Sequence, residues 1–503
     1  MKRLRPWVLA ALVVLSFAVH SRFVLRGCGE QDEARFLTDA IVWHLTGQLD
    51  PVFSDYRVWT SPLYIQGIKK ILDWGVPRRV LPDVLNWSNV AFGTLTLIPM
   101  YLLLRRLANA RAALAACVLY SFVPAFWLAN LYGMPHLPSF GLFLAALLGF
   151  AHALEGGRRR FALGAALAGL CMAGACALKA DVVLCAGAFL GVLIAEKRLT
   201  LRNAVVAALI VGLGVGAVMG YSRLIAPSVR PIADFQAGIP GDFPFEFAKA
   251  FTEWNQRVTV RAFGPVLFVA VLLGILSSAT AGGASRRLLL LALLWSVPPQ
   301  IVWGMKFGNS ARHMMAPALP LVALVGVALA GRFRRARWPW LIAAALLAGN
   351  YFSTARDPAK ADPAAQLAGS EDAMQRHVDA LYTDTVVPST RIFESALGIQ
   401  ERVAALHARG REFADLPGQK KLLVGLGTNP YALYELLADA RRASLRGPCN
   451  NFAGEMAVET RDGQAQRIEW VYARIDTAAD LVAARRREGW LVWTMEPRDQ
   501  SAR

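Results

Sequence analysis

The sequence predicts a polytopic α-helical membrane protein that ends in a soluble α/β domain. Three observations predict it. Apolar stretches of about 20 residues, each long enough to cross a bilayer as a helix, recur up to residue 353. Charged residues make up only 18% of the 503, against about 25% in soluble chains, and the mean hydropathy is +0.38. The formal charge of +18 is unevenly placed: residues 354–503 hold 20 Lys/Arg and 21 Asp/Glu, so the excess lies among the apolar segments. Cations there set topology and meet lipid phosphates, so no nucleic-acid partner is expected.

Eleven spans are expected, at about 6–25, 84–104, 111–131, 137–154, 161–178, 182–196, 203–225, 262–281, 287–305, 314–331 and 338–353. The first follows Met1-Lys2-Arg3-Leu4-Arg5. Its length and the lack of an Ala-x-Ala pattern near its end favour an uncleaved helix over a signal peptide. Basic clusters at Lys2/Arg3/Arg5, Arg105/Arg106/Arg111, Arg158–Arg160, Lys197/Arg198/Arg202, Arg286/Arg287 and Arg332–Arg337 fall on one side of this arrangement. That side is the cytoplasm, with the N-terminus on it. An odd number of spans puts residues 354–503 outside.

Two outer loops are long, 26–83 and 226–261. In the first, residues 32–46 read as an amphipathic helix with Phe36, Leu37, Ala40, Ile41 and Leu45 on one side, stopped by Gly47. Residues 62–74 read as a second, opened by Pro62. Such helices lie in the membrane interface. Beyond 354, Lys420–Leu426 reads as a strand, Asn429–Arg442 as a helix, Arg467–Tyr472 as a strand, Thr477–Glu488 as a helix and Trp490–Trp493 as a strand. Gly425-Leu426-Gly427-Thr428-Asn429 lacks a third glycine and reads as a strand-to-helix turn, not a nucleotide loop. Of six cysteines, four lie in apolar runs as packing residues. Cys28 and Cys449 lie outside the cytoplasm, and a disulfide and two thiols remain equal alternatives.

The residues most suited to chemistry are Asp32 and Glu33, just past the first span. Carboxylates beside a bilayer are costly to desolvate, and one facing an outer cavity can act as general base. Acids in a first helical turn also favour the helix dipole, which for Glu33 is an equal alternative. Asp32 and Glu33 with Ala34-Arg35-Phe36, then Ser61-Pro62-Leu63-Tyr64, then the late stretch Arg312-His313-Met314-Met315-Ala316-Pro317-Ala318-Leu319-Pro320, resemble the GT-C membrane glycosyltransferases. Within them the chain is similar to the bacterial relatives of protein O-mannosyltransferases and of the aminoarabinose transferase of lipid A. The resemblance covers about residues 1–353 and implies a transmembrane catalytic domain over 1–353 in a bacterial inner membrane; residues 354–503, read above as a soluble α/β domain outside the cytoplasm, are then periplasmic and resemble no named family.

It further implies a polyprenyl-phosphate sugar donor, such as an undecaprenyl-phosphate sugar, with Asp32 as base and Glu33 as a supporting acid that orients Asp32 or a cation. The departing phosphate needs positive charge more than it needs an acid. Arg312 and Lys306 rank first for that task, followed by His313, Lys179 and Arg57, with Tyr64 also placed for substrate; interfacial snorkelling is the alternative for each cation. Lys179 and Asp181 interrupt an apolar run, so Lys179 either faces the phosphate or pairs with Asp181. Many relatives carry a second acid after the third span. Here that loop reads Asn130-Leu131-Tyr132-Gly133-Met134-Pro135-His136, and His136 stands in its place, either binding substrate or hydrogen-bonded within its turn. The missing acid argues against a two-carboxylate metal site, and no cofactor is expected. The acceptor class (lipid, glycan or protein) stays open. A lipid or sugar transporter, or a non-catalytic subunit of envelope assembly, is the alternative function.

Overall fold

The computed structural model describes residues 6–22, 24–29, 31–49, 60–225, 263–304, 314–332, 341–347, 392–425, 429–446, 449, 453–471 and 478–494. Helices in the first two-thirds are α1 Pro6–Ser21, α2 Gln31–Thr46, α3 Pro62–Asp73, α4 Leu81–Leu107, α5 Ala110–Ser121, α6 Pro124–Ala129, α7 His136–Ala153, α8 Arg158–Leu178, α9 Gly187–Ala195, α10 Leu201–Ile225, α11 Pro265–Thr280, α12 Ala284–Gly304 and α13 Met315–Arg332. Among the described residues, four are long and apolar enough to cross a membrane: Arg78–Leu107, which includes the one-turn helix before α4, and α7, α8 and α10. Leu163, Leu170, Leu201, Leu209 and Leu224 on α8 and α10 are 62–83% exposed. A continuous apolar face of that kind suits lipid, not water.

A helix lies at each of the first ten expected positions, but those at α1, α5, α9, α11 and α13 are shorter apolar helices than a full span, so the expected count of eleven is not shown; two positions differ further in form. The span expected over 111–131 breaks after Ser121 and resumes at Pro124, because proline cannot continue the ladder of the preceding turn. The one expected over 182–196 opens with the 3-10 turn Ala180–Cys185, leaving α9 only nine residues, about 14 Å of helix against a bilayer core of about 30 Å. Of 338–353, only 341–347 are described, and they are helical.

The second body is built from α14 Ile392–Asp415, β1 Lys420–Val424, α15 Asn429–Ala438, β2 Ala440–Leu445, β3 Ala453–Thr460, β4 Ala465–Val471, α16 Ala479–Arg487 and β5 Leu491–Thr494. The sheet order is β2-β3-β4-β1-β5. β1 pairs parallel with β4 and β5, whereas β2-β3-β4 form an antiparallel meander. The helix expected to run to Arg442 stops at Ala438. Arg441 and Arg442 instead enter β2, where a register shift between Ala440 and Arg442 hides the alternation that would have marked a strand.

The α/β body is docked on the first-loop helices. One apolar cluster joins Phe36, Leu37, Ile41 and Ile68 of α2 and α3 to Leu433, Leu437, Met456 and Trp470 of the domain. Residues of α2 from Ala34 to Trp43 are therefore buried on several faces, apart from the half-exposed Arg35. An amphipathic helix lying free in the interface would bury only one.

Candidate active site

The candidate site is assembled from loops at the ends of α1, α6 and α8. The loop 24–29, leading into α2, is fastened to α4. Asn86 Nδ2 donates to Leu25 O and Gly27 O, each at 2.9 Å, and Asp83 Oδ1 accepts from the Gly27 amide at 2.9 Å. The loop 130–135, leading into α7, meets the same helix. Asn89 Nδ2 donates to Ala129 O and Tyr132 O at 3.0 and 2.6 Å, and the Gly133 amide donates to Asn86 Oδ1 at 2.6 Å. The two loops also pair directly, Leu25 N–H to Leu131 O at 3.0 Å. Asn86 and Asn89 are buried in an apolar helix, a costly placement unless their amides are satisfied. Here the side-chain amide groups are spent on clamping two loops together.

Glu33 sits where those loops meet. It is fully buried; Oε2 accepts from the Gly29 amide at 2.6 Å and Oε1 from the Gly133 amide at 3.1 Å. Burial pushes its carboxyl well above the usual range, and the two amides oppose that rise. The backbone requires glycine at two of these positions. Gly27 has φ +82, and a Cβ on Gly133 would stand 2.5 Å from Leu85 Cβ and 2.8 Å from Glu33 Oε1. Asp32 precedes Glu33 in the first turn of α2, so its backbone is held by the same contacts; its side chain lies outside the described residues.

Past loop 130–135, His136 opens α7 and lines a small cavity of about 40 Å³ with Lys179, Asp181, Met315 and Pro317. Lys179 Nζ lies 3.0 Å from Asp181 Oδ2, so the lysine pairs with its neighbour and faces this cavity as well. Ser139 Oγ donates to Ala175 O at 2.8 Å and ties α7 to the end of α8. Tyr120 Oη donates to Met315 O at 2.5 Å and Ser296 Oγ to Pro317 O at 2.7 Å, fixing the start of α13. The late motif thus reaches the cavity through Met315 and Pro317. Arg312, His313, Lys306 and Arg57 lie outside the described residues.

Tyr64 packs edge-on against Phe36, with centroids 5.3 Å apart. Its hydroxyl is sealed from solvent and has no hydrogen-bond partner among the described residues. Burial pushes its pKa far up, and Glu33 and Cys28 add to the rise. Tyr64 also stands on the wall of an apolar groove of about 520 Å³ between α3, α4, α7 and α8, lined by Leu63, Gly67, Ile71, Phe92, Leu95 and Leu142 among others. Leu178 lines that groove and the next residue, Lys179, lines the small cavity. Two further lysines of the first loop, Lys69 and Lys70, pair with Asp73 at 2.7 and 3.8 Å. Cys28 and Cys449 form no disulfide; Cys449 Sγ lies 3.7 Å from Glu455 O.

The structure therefore joins Glu33 to the loop before His136, His136 to Lys179, and Tyr64 to an apolar groove. Sequence reasoning missed Asn86 and Asn89, whose signal was two amides one turn apart inside a run read as a span. It also missed α14 with the contacts that helix makes to the first loop.

Comparison with known proteins gives the class first. Residues 82–220 match the family model described as dolichyl-phosphate-mannose-protein mannosyltransferase. That stretch includes Asn86, Asn89, His136 and Lys179 and stops short of Asp32 and Glu33. Comparison with curated protein sequences found no match. Among solved structures the chain is similar to ArnT from Cupriavidus metallidurans. The form bound to undecaprenyl phosphate aligns with a TM-score of 0.54 at 12% identity, over 85% of this chain and 84% of that one. The apo form aligns at 0.53 and 14% identity, over 85% and 83%. The apo oligosaccharyltransferase of Archaeoglobus fulgidus aligns at 0.50 and 12% identity over 87% of this chain, which spans 65% of that protein's length. At these identities the likeness is one of fold, and the fold is that of the GT-C glycosyltransferases.

Proposed function

We propose that the protein is an inverting glycosyltransferase that moves a sugar from a polyprenyl-phosphate donor to an acceptor hydroxyl at the periplasmic face of the inner membrane. The observation that carries this reading is the apolar groove of about 520 Å³, whose lining includes Tyr64 and Leu178, the latter next in sequence to Lys179, which lines the small cavity with His136. Its size and lining suit a prenyl chain, and the polar groups of the small cavity suit the phosphate and sugar. The undecaprenyl phosphate bound to ArnT is a ligand of the same chemistry.

In this reading Asp32 takes the proton of the acceptor hydroxyl. The oxygen attacks the anomeric carbon, the bond from that carbon to the phosphate oxygen breaks with inversion, and the polyprenyl phosphate leaves. Lys179 and His136, with Arg312, Lys306, His313 and Arg57, supply positive charge and hydrogen bonds to the departing phosphate. Tyr64, whose side chain lines the groove, carries a hydroxyl donor with no partner among the described residues. Glu33 holds the start of α2 against the His136 loop and so sets the position of Asp32. The α/β domain covers the site and meets the acceptor.

The test is sugar release from a panel of undecaprenyl-phosphate sugars by purified wild type and Asp32→Asn. One donor turned over by the wild type and lost in the folded variant is expected, a fall of at least about 10²-fold for a general base. Full activity in Asp32→Asn removes the base from its role.

A further inference from the structure

The α/β domain grips the loop that precedes the acid pair, and a histidine makes one of the bonds. The Cys28 amide donates to His407 Nε2 at 2.9 Å. An amide donor can only meet an unprotonated ring nitrogen, so the proton of this imidazole sits on Nδ1. Nδ1 lies 2.6 Å from Glu435 Oε1, a carboxylate that accepts it. Both side chains are buried, and the ring stands edge-on between Tyr431 and Tyr434, each with its centroid 5.7 Å away. Glu435 in turn meets Arg79 at 3.1 Å and Arg411 at 3.7 Å.

The grip is wider than one bond. Gln400, two helical turns before His407 on α14, donates to Arg26 O at 3.1 Å and accepts from the Arg26 amide at 2.7 Å. Between these residues Gly27 passes so close that a Cβ there would stand 2.9 Å from His407 Nε2. Three consecutive residues of the loop, 26–28, are therefore held by α14 on one side and by Asp83 and Asn86 of α4 on the other. Four residues further on is Asp32.

We infer that His407 is a positioning residue of the first-loop site: through the Cys28 amide, and with its tautomer fixed by Glu435, it sets the path of loop 26–29 and hence the start of α2. The soluble domain then becomes a structural part of the candidate active site and not only a module for the acceptor. Its consequence for turnover rests on the transferase reading above; the loop clamp itself does not.

The experiment reads both. Cys28 is fully buried, so its thiol reports on the clamp without any assay of activity. Full-length protein in detergent is labelled with a maleimide and the Cys28 peptide is followed by mass spectrometry. His407→Phe keeps a ring between the tyrosines but has no acceptor for the Cys28 amide; Cys28 labelling is expected to rise at least about tenfold, since one buried donor is left unmade. His407→Gln places an amide oxygen near the former Nε2 and is expected to stay within about threefold of wild type. Gln400→Ala, on the exposed rim, is expected to give an intermediate rise and serves if His407→Phe fails to fold. Turnover of the donor should follow the same order through kcat, with KM for the donor little changed. Labelling of Cys28 in folded His407→Phe or Gln400→Ala that matches wild type overturns the inference. Increased labelling in a protein whose wild type turns over no donor leaves the clamp standing and removes the transferase reading.

Discussion

Glu33 shows how one buried carboxyl can join two loops of the candidate site. Its two oxygens accept from Gly29, four residues before it, and from Gly133, 100 residues after it, and so join two distant loops. Burial raises its pKa above the ordinary value of 4.5, so from that value upward the folded protein binds a proton that the unfolded chain has released. Stability from this group therefore falls as pH rises through the window between the two values. Glu33→Gln removes the titration, and its thermal midpoint is expected to vary less with pH there than that of the wild type. Glu33→Ala should instead strand the Gly29 amide, while the Gly133 amide keeps Asn86 Oδ1, and lower stability by about 1–3 kcal/mol, measurable as loss of thermal midpoint at constant pH. Lys421 gives the opposite sign. Its ammonium, buried under α14, donates to Phe413 O and Ala414 O, and burial brings its pKa down to about 8. Between pH 8 and 10.5 the unfolded chain holds the proton that the folded one gives up, so stability rises with pH across that window. In Lys421→Met that rise should be reduced, which parallel denaturation series at several pH values would show.

At the scale of elements, α3 lines the groove with α4, α7 and α8 and contributes Leu63, Tyr64, Gly67, Ile68 and Ile71. Nothing lies within 4 Å of a Cβ built on Gly67, which faces the groove. Gly67→Trp costs the helix nothing in propensity and puts an indole where the proposed prenyl chain would run. With each buried CH₂ worth about 0.8 kcal/mol, the ratio of kcat/KM for an undecaprenyl donor to that for a ten-carbon donor should fall at least about tenfold. An unchanged ratio would place the chain elsewhere. Elements also explain which sequence readings succeeded. α2 and α3 were legible because apolar residues recur at helical spacing and because Pro62 and Gly47 mark a start and a stop; Gly47 has φ +75. β2 was not legible, because its bulge breaks the alternation. The break at 122–123 was not legible either, because local hydropathy carries on past it.

At the scale of the whole molecule, the α/β domain and the helical body are joined by apolar packing on α2 and by a polar seam. Arg79, just before α4, meets Glu435 and Asp439, and Arg78 donates to Leu437 O and Ala440 O. Tyr434 Oη donates back to Arg78 O at 2.9 Å. Arg79 is half-exposed, so its pairing with Asp439 contributes on the order of 1 kcal/mol or less. Its pairing with the buried Glu435 matters more, because removing the cation leaves a desolvated charge with fewer partners. Arg79→Ala is expected to loosen the domain: limited proteolysis should cut the α14 region faster, and the unfolding of the two bodies should separate. A single unchanged transition would show that the apolar packing alone holds them.

The sequence by itself determined the class of molecule. Runs of apolar residues, the side on which basic clusters fall and the shift in composition near 354 are local properties, and hydrophobic transfer and charge act on them wherever the chain goes. It also marked Asp32, Glu33, Tyr64, His136 and Lys179 as residues whose type suits chemistry at a membrane surface. What only the tertiary structure decided is which of these meet. Lys179 pairs with Asp181 and shares a cavity with His136 because α7 and α8 pack together. Glu33 turns to backbone amides because Asn86 and Asn89 bring two distant loops over α4. His407, 379 residues from Cys28, reaches it because an entire domain docks on α2. Such contacts depend on the closure of long loops and the burial of whole faces, which no window of sequence contains.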